Sequence, residues 1–256
     1  MMNVYAKKSL GQHFLRDKSI AARIVESLSG NTRDTLEVGP GMGVLTEFLL
    51  ARPDLVTYAA EIDRESVAYL HTHFPALTPR LIQGDFLELE LEELFAKPVA
   101  VIGNFPYNIS SQIFFKVLAH RNRIPEVVCM VQKEVAERIA CPPGSKTYGI
   151  LSVLLQSYYH IEYLFTVHEN VFVPPPKVKS GVIRLTRNSV QTLGCDETLF
   201  RRVVKTTFNQ RRKVIRNSIK GITGDKPLPP NELLTKRPEQ LSVSDFVALT
   251  RFIEIS

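Results

Sequence analysis

The sequence predicts an α/β fold in two parts: a doubly wound, mostly parallel sheet of seven strands over residues 1–187, and a small α-helical domain over residues 188–256. Three observations lead there. From Asp34 to Arg187 short apolar runs alternate with amphipathic segments, the signature of repeated βα units. The first strand candidate runs straight into a glycine-rich turn, Leu36-Glu37-Val38-Gly39-Pro40-Gly41-Met42-Gly43, with a helical pattern behind it. After Asn188 strand signals stop and apolar residues recur at helical spacing.

In chain order, an N-terminal arm of about 17 residues leads into a helix near Lys18 to Leu28. Strands are expected at Thr35–Val38, Val56–Ile62, Arg80–Gln83, Val99–Ile102, Glu126–Val131, Tyr158–Val167 and Ser180–Thr186. Helices are expected after Gly43, after Asp63, after Ser110, from Gln132 to Ala140 and from Tyr148 to Ser157. The last two strands are joined through Pro174, Pro175 and Pro176 with no helical pattern between them, so they should run antiparallel, without a helical crossover. In the second domain Phe200, Val203, Val204, Thr207 and Phe208 mark one helix face. A final helix should start at Ser242, a good N-cap with Asp245 in its first turn, and bury Phe246, Leu249, Phe252 and Ile253.

Composition bounds the function. A chain of 256 residues, 44% hydrophobic and 23% charged, has material for a buried core and argues against both a large membrane domain and a disordered chain. The net charge of +6 permits a polyanionic partner without demanding one. Its location says more. Residues 188–256 hold 12 basic and 7 acidic side chains, so +5 of the +6 lies in the last quarter. From Leu199 to Lys220 there are eight basic residues, Arg201, Arg202, Lys205, Arg211, Arg212, Lys213, Arg216 and Lys220, and no acid, a concentrated electrostatic footprint. Cys129, Cys141 and Cys195 are odd in number and in no metal-ligand spacing, so a reducing compartment, no disulfide framework and no metal are expected. With no signal-peptide pattern and no long apolar run, a cytoplasmic protein off the membrane is expected.

The chemistry is written at the strand ends. Gly39 and Gly41 let the backbone approach a ligand closely, although Val44 stands where the dinucleotide fingerprint needs a further glycine, which disfavours an NAD-dependent oxidoreductase. Glu61 ends the second strand 20 residues beyond Gly41, where an acid accepts ribose hydroxyls. Asp85, after the third strand, can receive an adenine amino group. The fourth strand ends in Asn104-Phe105-Pro106-Tyr107-Asn108-Ile109-Ser110, a carboxamide, a proline turn and an aromatic. This set suits a planar amine. An exocyclic adenine nitrogen is a poor nucleophile because its lone pair is delocalised into the ring. The Asn104 side-chain oxygen and the Pro106 backbone carbonyl can accept its two N–H bonds and turn that lone pair toward an electrophile, while Tyr107 stacks on the base.

With these motifs the chain resembles the KsgA-type small-subunit (16S) rRNA adenine N6,N6-dimethyltransferases over nearly its whole length. The resemblance rests on Gly11-Gln12-His13-Phe14-Leu15, the glycine turn, Glu61, Gln83-Gly84-Asp85, the Asn104–Ser110 segment, Gln132-Lys133-Glu134-Val135-Ala136, the Phe172–Val178 proline loop, and Phe208-Asn209-Gln210-Arg211-Arg212-Lys213. It implies a Rossmann-like class I methyltransferase sheet and S-adenosylmethionine as methyl donor. It implies further that His13 and Leu15 close over the cofactor, Gly39 and Gly41 approach its methionine part, Glu61 holds the ribose, Asp85 the adenine, and Asn104 spans cofactor and target. Phe172 would be the second stacking wall opposite Tyr107. An enzyme acting on a base must take it out of its stack. The basic residues after Leu199, helped by Lys7, Lys8 and Arg16, would then track phosphates without reading sequence.

The expectation is a monomeric enzyme that dimethylates two adjacent adenosines near the 3′ end of 16S rRNA in a pre-ribosomal small subunit. Two alternatives stand beside it: a large-subunit rRNA adenine methylase, and a ribosome-assembly RNA-binding factor with little catalytic role.

Overall fold

A computed structural model describes residues 4–7, 10–224 and 228–255. Along the chain the elements are β1 (Phe14–Leu15), α1 (Lys18–Glu26), β2 (Asp34–Val38), α2 (Val44–Leu50), β3 (Val56–Glu61), α3 (Arg64–His73), β4 (Leu81–Gln83), α4 (Leu91–Leu94), β5 (Val99–Asn104), α5 (Ser110–Ala119), β6 (Glu126–Gln132), α6 (Lys133–Ala140), α7 (Ile150–Gln156), β7 (Tyr159–Val167), β8 (Phe172–Val173), β9 (Ser180–Arg187), α8 (Glu197–Asn209), α9 (Ile215–Ser218), α10 (Lys220–Thr223) and α11 (Val243–Glu254).

Seven strands form one sheet in the order β4-β3-β2-β5-β6-β9-β7. β2 pairs in parallel with β3 on one side and β5 on the other, so the strand order reverses at β2 and opens a crevice at the carboxyl ends of β2, β3 and β5. β9 enters between β6 and β7 and runs antiparallel to β6, from Glu126 opposite Thr186 to Gln132 opposite Ser180. The central strands are buried on both faces, which is why β5 and β6 read as unbroken apolar runs. Ala100, Ile102, Val128, Met130 and Val182 pack on one side with Ile24 and Val25 of α1 and Leu45 and Leu49 of α2. Each fully buried aliphatic side chain of that kind contributes about 1.5–3 kcal/mol. α1 starts where expected because the Asp17 carboxylate caps the N–H groups of Ser19 and Ile20.

A second, two-stranded sheet has no signal in the sequence. β1 of the arm pairs antiparallel with β8 of the proline loop, Phe14 opposite Val173 and Leu15 opposite Phe172. Strands of two residues are too short for a period-2 pattern, and their partners lie far apart in the chain.

The chain divides into two compact units, residues 1–136 with 161–187, and residues 137–160 with 188–256. The second unit thus takes in a segment ahead of residue 188. Within it Tyr148 meets Phe208 edge-on at 6.1 Å, and Phe208 meets Phe246 at 5.9 Å, an aromatic core between α8, α11 and the approach to α7. α8 buries Phe200, Val203, Val204 and Thr207 and exposes Arg201, Arg202 and Lys205. α11 opens on a Ser242–Asp245 capping box and buries Phe246 and Leu249, with Phe252 and Ile253 only half-buried. Among the described residues no helix is long and apolar enough to cross a membrane.

Candidate active site

The crevice at the carboxyl ends of β2, β3 and β5 is a cleft of about 230 Å³, walled by Gly39, Gly41, Glu61, Asp85, Asn104, Pro106 and Tyr107. The expected strand-end residues therefore converge on one space. Each is placed by its strand: Gly39 directly follows β2, Glu61 closes β3, Asp85 follows β4 and Asn104 closes β5.

Gly39 has a φ of +68°, and a Cβ built on it meets nothing within 4 Å. Since Gly39 lines the cleft, a side chain here would occupy ligand space. Glu61 is only 3% exposed. Its two carboxylate oxygens each accept one backbone N–H, from Gly41 at 2.9 Å and from Asp63 at 2.9 Å, which ties the glycine turn to the end of β3. Burial raises its pKa, and those two N–H groups work against the rise. Asp85 spends one oxygen capping the N–H of Leu87 at 2.9 Å. Its second oxygen has no protein partner among the described residues.

Asn104 is the most constrained member. Its Nδ2 donates to the His13 carbonyl at 3.0 Å, which orients the carboxamide and leaves Oδ1 as an acceptor. The Pro106 carbonyl takes the Ile109 N–H at 3.2 Å and keeps its second lone pair. The Tyr107 hydroxyl is anchored to Ser180 Oγ at 2.6 Å, so its ring is held at the cleft wall with His13 5.5 Å away, centroid to centroid. Behind the cleft, Glu37 is fully buried and accepts from Thr46 Oγ1 at 2.6 Å. Burial, with some repulsion from Glu61, pushes its pKa up to about 8.

The arm roofs this space. Leu10 to Phe14 line it, and His13 Nδ1 meets the Pro174 carbonyl at 2.8 Å, next to the cis Val173–Pro174 bond. Gln12 and Phe14 were not singled out in the sequence although they belong to the same Gly11–Leu15 motif. Phe86, directly after Asp85, is another lining residue without a sequence signal.

Several expected roles are not met. Phe172 is 1% exposed and lies in the hydrophobic core with Leu15, which is 4% exposed. Neither lines the cleft, because β1–β8 pairing turns both side chains inward. Phe172 thus presents no face to a base, and Phe14, not Leu15, faces the cofactor space. Lys7 is ion-paired with Asp63 and, at 3.1 Å, with Glu65, so part of its charge is already engaged within the protein. Burial would raise Asp63, but the Lys7 ammonium and the Ser66 hydroxyl outweigh it and hold its pKa low. Lys8 lies outside the described residues; Arg16 is exposed.

The basic run lies in the second unit. Arg201, Arg202, Lys205, Arg212, Lys213, Arg216 and Lys220 are exposed and Arg211 is half-buried. α8 ends at Asn209, so Arg211, Arg212 and Lys213 sit in the turn before α9 rather than on a helix. The run has no acid of its own, but folding brings Glu197 to 3.9 Å from Arg201 and Glu239 to 3.8 Å from Arg211, while the Arg211 guanidinium also donates to the Ser145 carbonyl.

The fit to S-adenosylmethionine can be tested on this geometry. A glycine cradle that a Cβ would fill, a buried carboxylate at the ribose position and a carboxylate oxygen open at the adenine position all match it.

Comparison with known proteins agrees. The family model for ribosomal RNA adenine dimethylase matches residues 3–245. A "Ribosomal RNA small subunit methyltransferase A" of Bacteroides thetaiotaomicron is 58% identical, covering 99% of this chain and 96% of its own. The protein of that name from Porphyromonas gingivalis is 56% identical and covered in full. Among solved structures, a dimethyladenosine transferase from Plasmodium falciparum superposes with a TM-score of 0.74 at 22% identity, over 93% of this chain and 96% of that one. The 23S rRNA methyltransferase ErmE gives 0.66 at 25% identity, over 93% and 99%. By both the matched length and these identities, the chain belongs to the ribosomal RNA adenine dimethylase family.

Proposed function

We propose that this chain transfers methyl groups from S-adenosylmethionine to N6 of two adjacent adenosines near the 3′ end of small-subunit rRNA, dimethylating each. The observation that carries the reading is the Asn104 carboxamide, whose nitrogen is tied to His13 and whose oxygen is left to accept. S-adenosylmethionine supplies, when bound, an electrophilic methyl on its sulfonium. Glu61 holds the ribose hydroxyls, Asp85 Oδ2 takes the adenine amino group of the cofactor, and Gly39 leaves room for the methionine part. Asn104 Oδ1 and the Pro106 carbonyl accept the two N–H bonds of the target amine, and Tyr107 stacks on its ring. With the donor bound, these residues would hold the target nitrogen with its lone pair toward that methyl and leave its surplus proton free to pass to water. Rate enhancement comes from positioning and from stabilising charge on the amine, with no strong base needed.

The exposed basic residues of the second unit hold the RNA backbone. We take the enzyme to be a cytoplasmic monomer that acts on a pre-ribosomal small subunit. Its three free cysteines fit a reducing compartment. The relatives above 55% identity act by name on the small subunit, which favours that substrate over the large-subunit rRNA of the ErmE structure. Incubation of unmodified small and large subunits with labelled S-adenosylmethionine, followed by mapping, tests this. Dimethyladenosine at two adjacent 3′ positions is expected. Label confined to large-subunit rRNA would overturn the substrate, and RNA binding without label would favour an assembly factor.

A further inference from the structure

The cofactor's adenine end is walled by Asp85 and Phe86, which belong to a short stretch between β4 and α4. This stretch has little secondary structure: residues 86–88 make a single 3₁₀ turn, capped by Asp85 itself. A turn this short does not hold its own geometry against solvent, so what fastens it matters to the site. The fastening comes from α5, the helix that follows the Asn104–Ile109 segment. Lys116 Nζ donates to the Leu87 carbonyl at 2.9 Å and to the Leu89 carbonyl at 2.6 Å. The same ammonium stands 5.7 Å from the centre of the Phe86 ring. One half-buried cation thus holds the turn at two carbonyls and faces one aromatic ring, while itself lining no part of the cleft.

We infer that Lys116 is a positioning residue for cofactor recognition: it fixes the 86–89 turn so that Asp85 and Phe86 meet the adenine end of S-adenosylmethionine. This rests on the reading of the cleft as a cofactor site. Three features support it. Among the described residues Lys116 has no acidic partner and is bonded instead to carbonyls, a use that serves loop geometry and not charge balance. Its two bonds flank residue 88, so losing them frees the turn that Asp85 caps. And α5 also begins at the target-amine motif, so one helix links the two walls of the site.

The test is binding of S-adenosylhomocysteine by calorimetry to wild type, Lys116→Met and Lys116→Arg, with S-inosylhomocysteine, which lacks the adenine amino group, as a second probe. Lys116→Met should bind S-adenosylhomocysteine about tenfold more weakly, the effect of one charged hydrogen-bond system lost. It should lose clearly less affinity for the inosine analogue, which has no amino group for Asp85 and meets only Phe86 of the pair. Lys116→Arg, which can also donate to two carbonyls, should recover most of the affinity. At saturating S-adenosylmethionine the Met variant should keep kcat within about twofold while its KM rises. A general loss of structure would weaken both probes alike and overturn the inference, as would a Met variant with wild-type affinity for S-adenosylhomocysteine. Wild type failing to bind S-adenosylhomocysteine at all would overturn the cofactor reading and the inference with it.

Discussion

Asn104 at the end of β5 and His13 in the N-terminal arm, 91 residues apart, are joined by a 3.0 Å bond from the Asn104 carboxamide nitrogen to the His13 carbonyl. The bond ties the roof of the cleft to its chemical centre, since the same histidine reaches the proline loop through Nδ1. A single side chain therefore has two ends in use: its nitrogen closes the arm, and its oxygen is left as the acceptor proposed for the target amine.

Asn104→Ala removes both ends. Methyl transfer to unmodified small subunits should fall by at least about 10²-fold, the scale of losing one oriented polar group at a reacting centre. RNA binding, proposed above for the second unit, should stay unchanged in a filter-binding assay. Equal loss of both activities would show that the division of labour is wrong.

Glycine substitutions separate cofactor space from packing. Gly39→Ala adds a Cβ into the open cleft at a φ of +68°, so S-adenosylhomocysteine affinity should drop sharply while stability falls by about 1–2 kcal/mol. At Gly103 an added Cβ would lie 2.5 Å from the Val38 carbonyl, between β5 and β2. There the melting temperature should suffer most. Thermal unfolding with and without ligand distinguishes the two.

Glu37 makes stability depend on pH in a stated direction. It titrates near 4.5 when unfolded and near 8 in the buried site, so the folded protein retains a proton that the unfolded chain has released in between. Its contribution is full below about 4.5 and is lost as pH rises through about 8. Glu37→Gln keeps an acceptor for Thr46 and abolishes the titration. Between about pH 5 and pH 8 the wild type should lose stability more steeply than the variant, by at most about 1.4 kcal/mol per pH unit. Parallel denaturation profiles would count against it.

Charge removal in the second unit should act on RNA alone. Arg212→Ala with Lys213→Ala should weaken rRNA binding and lower the slope of log K against log salt by roughly one per lost phosphate contact. Arg211→Ala should change the slope less, because Glu239 and the Ser145 carbonyl already engage that guanidinium. A slope change for Arg211→Ala of half that of the double variant or more would show that Arg211 faces phosphate after all.

The sequence by itself determined the seven strands of the main sheet and the longer helices between them, the glycine turn and the strand-end residues Glu61, Asp85 and Asn104, because each is recorded in a local period or in spacing along one βα unit. The residues it could not place depend on segments that meet only on folding. Leu15 and Phe172 become core because β1 finds β8. Lys7 pairs with Asp63, and Glu239 reaches Arg211 from well outside the basic run. The grip of Lys116 on the turn behind Asp85 belongs to the same class, since nothing in the spacing of α5 points to two carbonyls 27 and 29 residues earlier. Contacts between distant segments leave no periodic trace, so the tertiary structure alone decided which aromatic faces the cleft and which basic side chains are drawn into ion pairs.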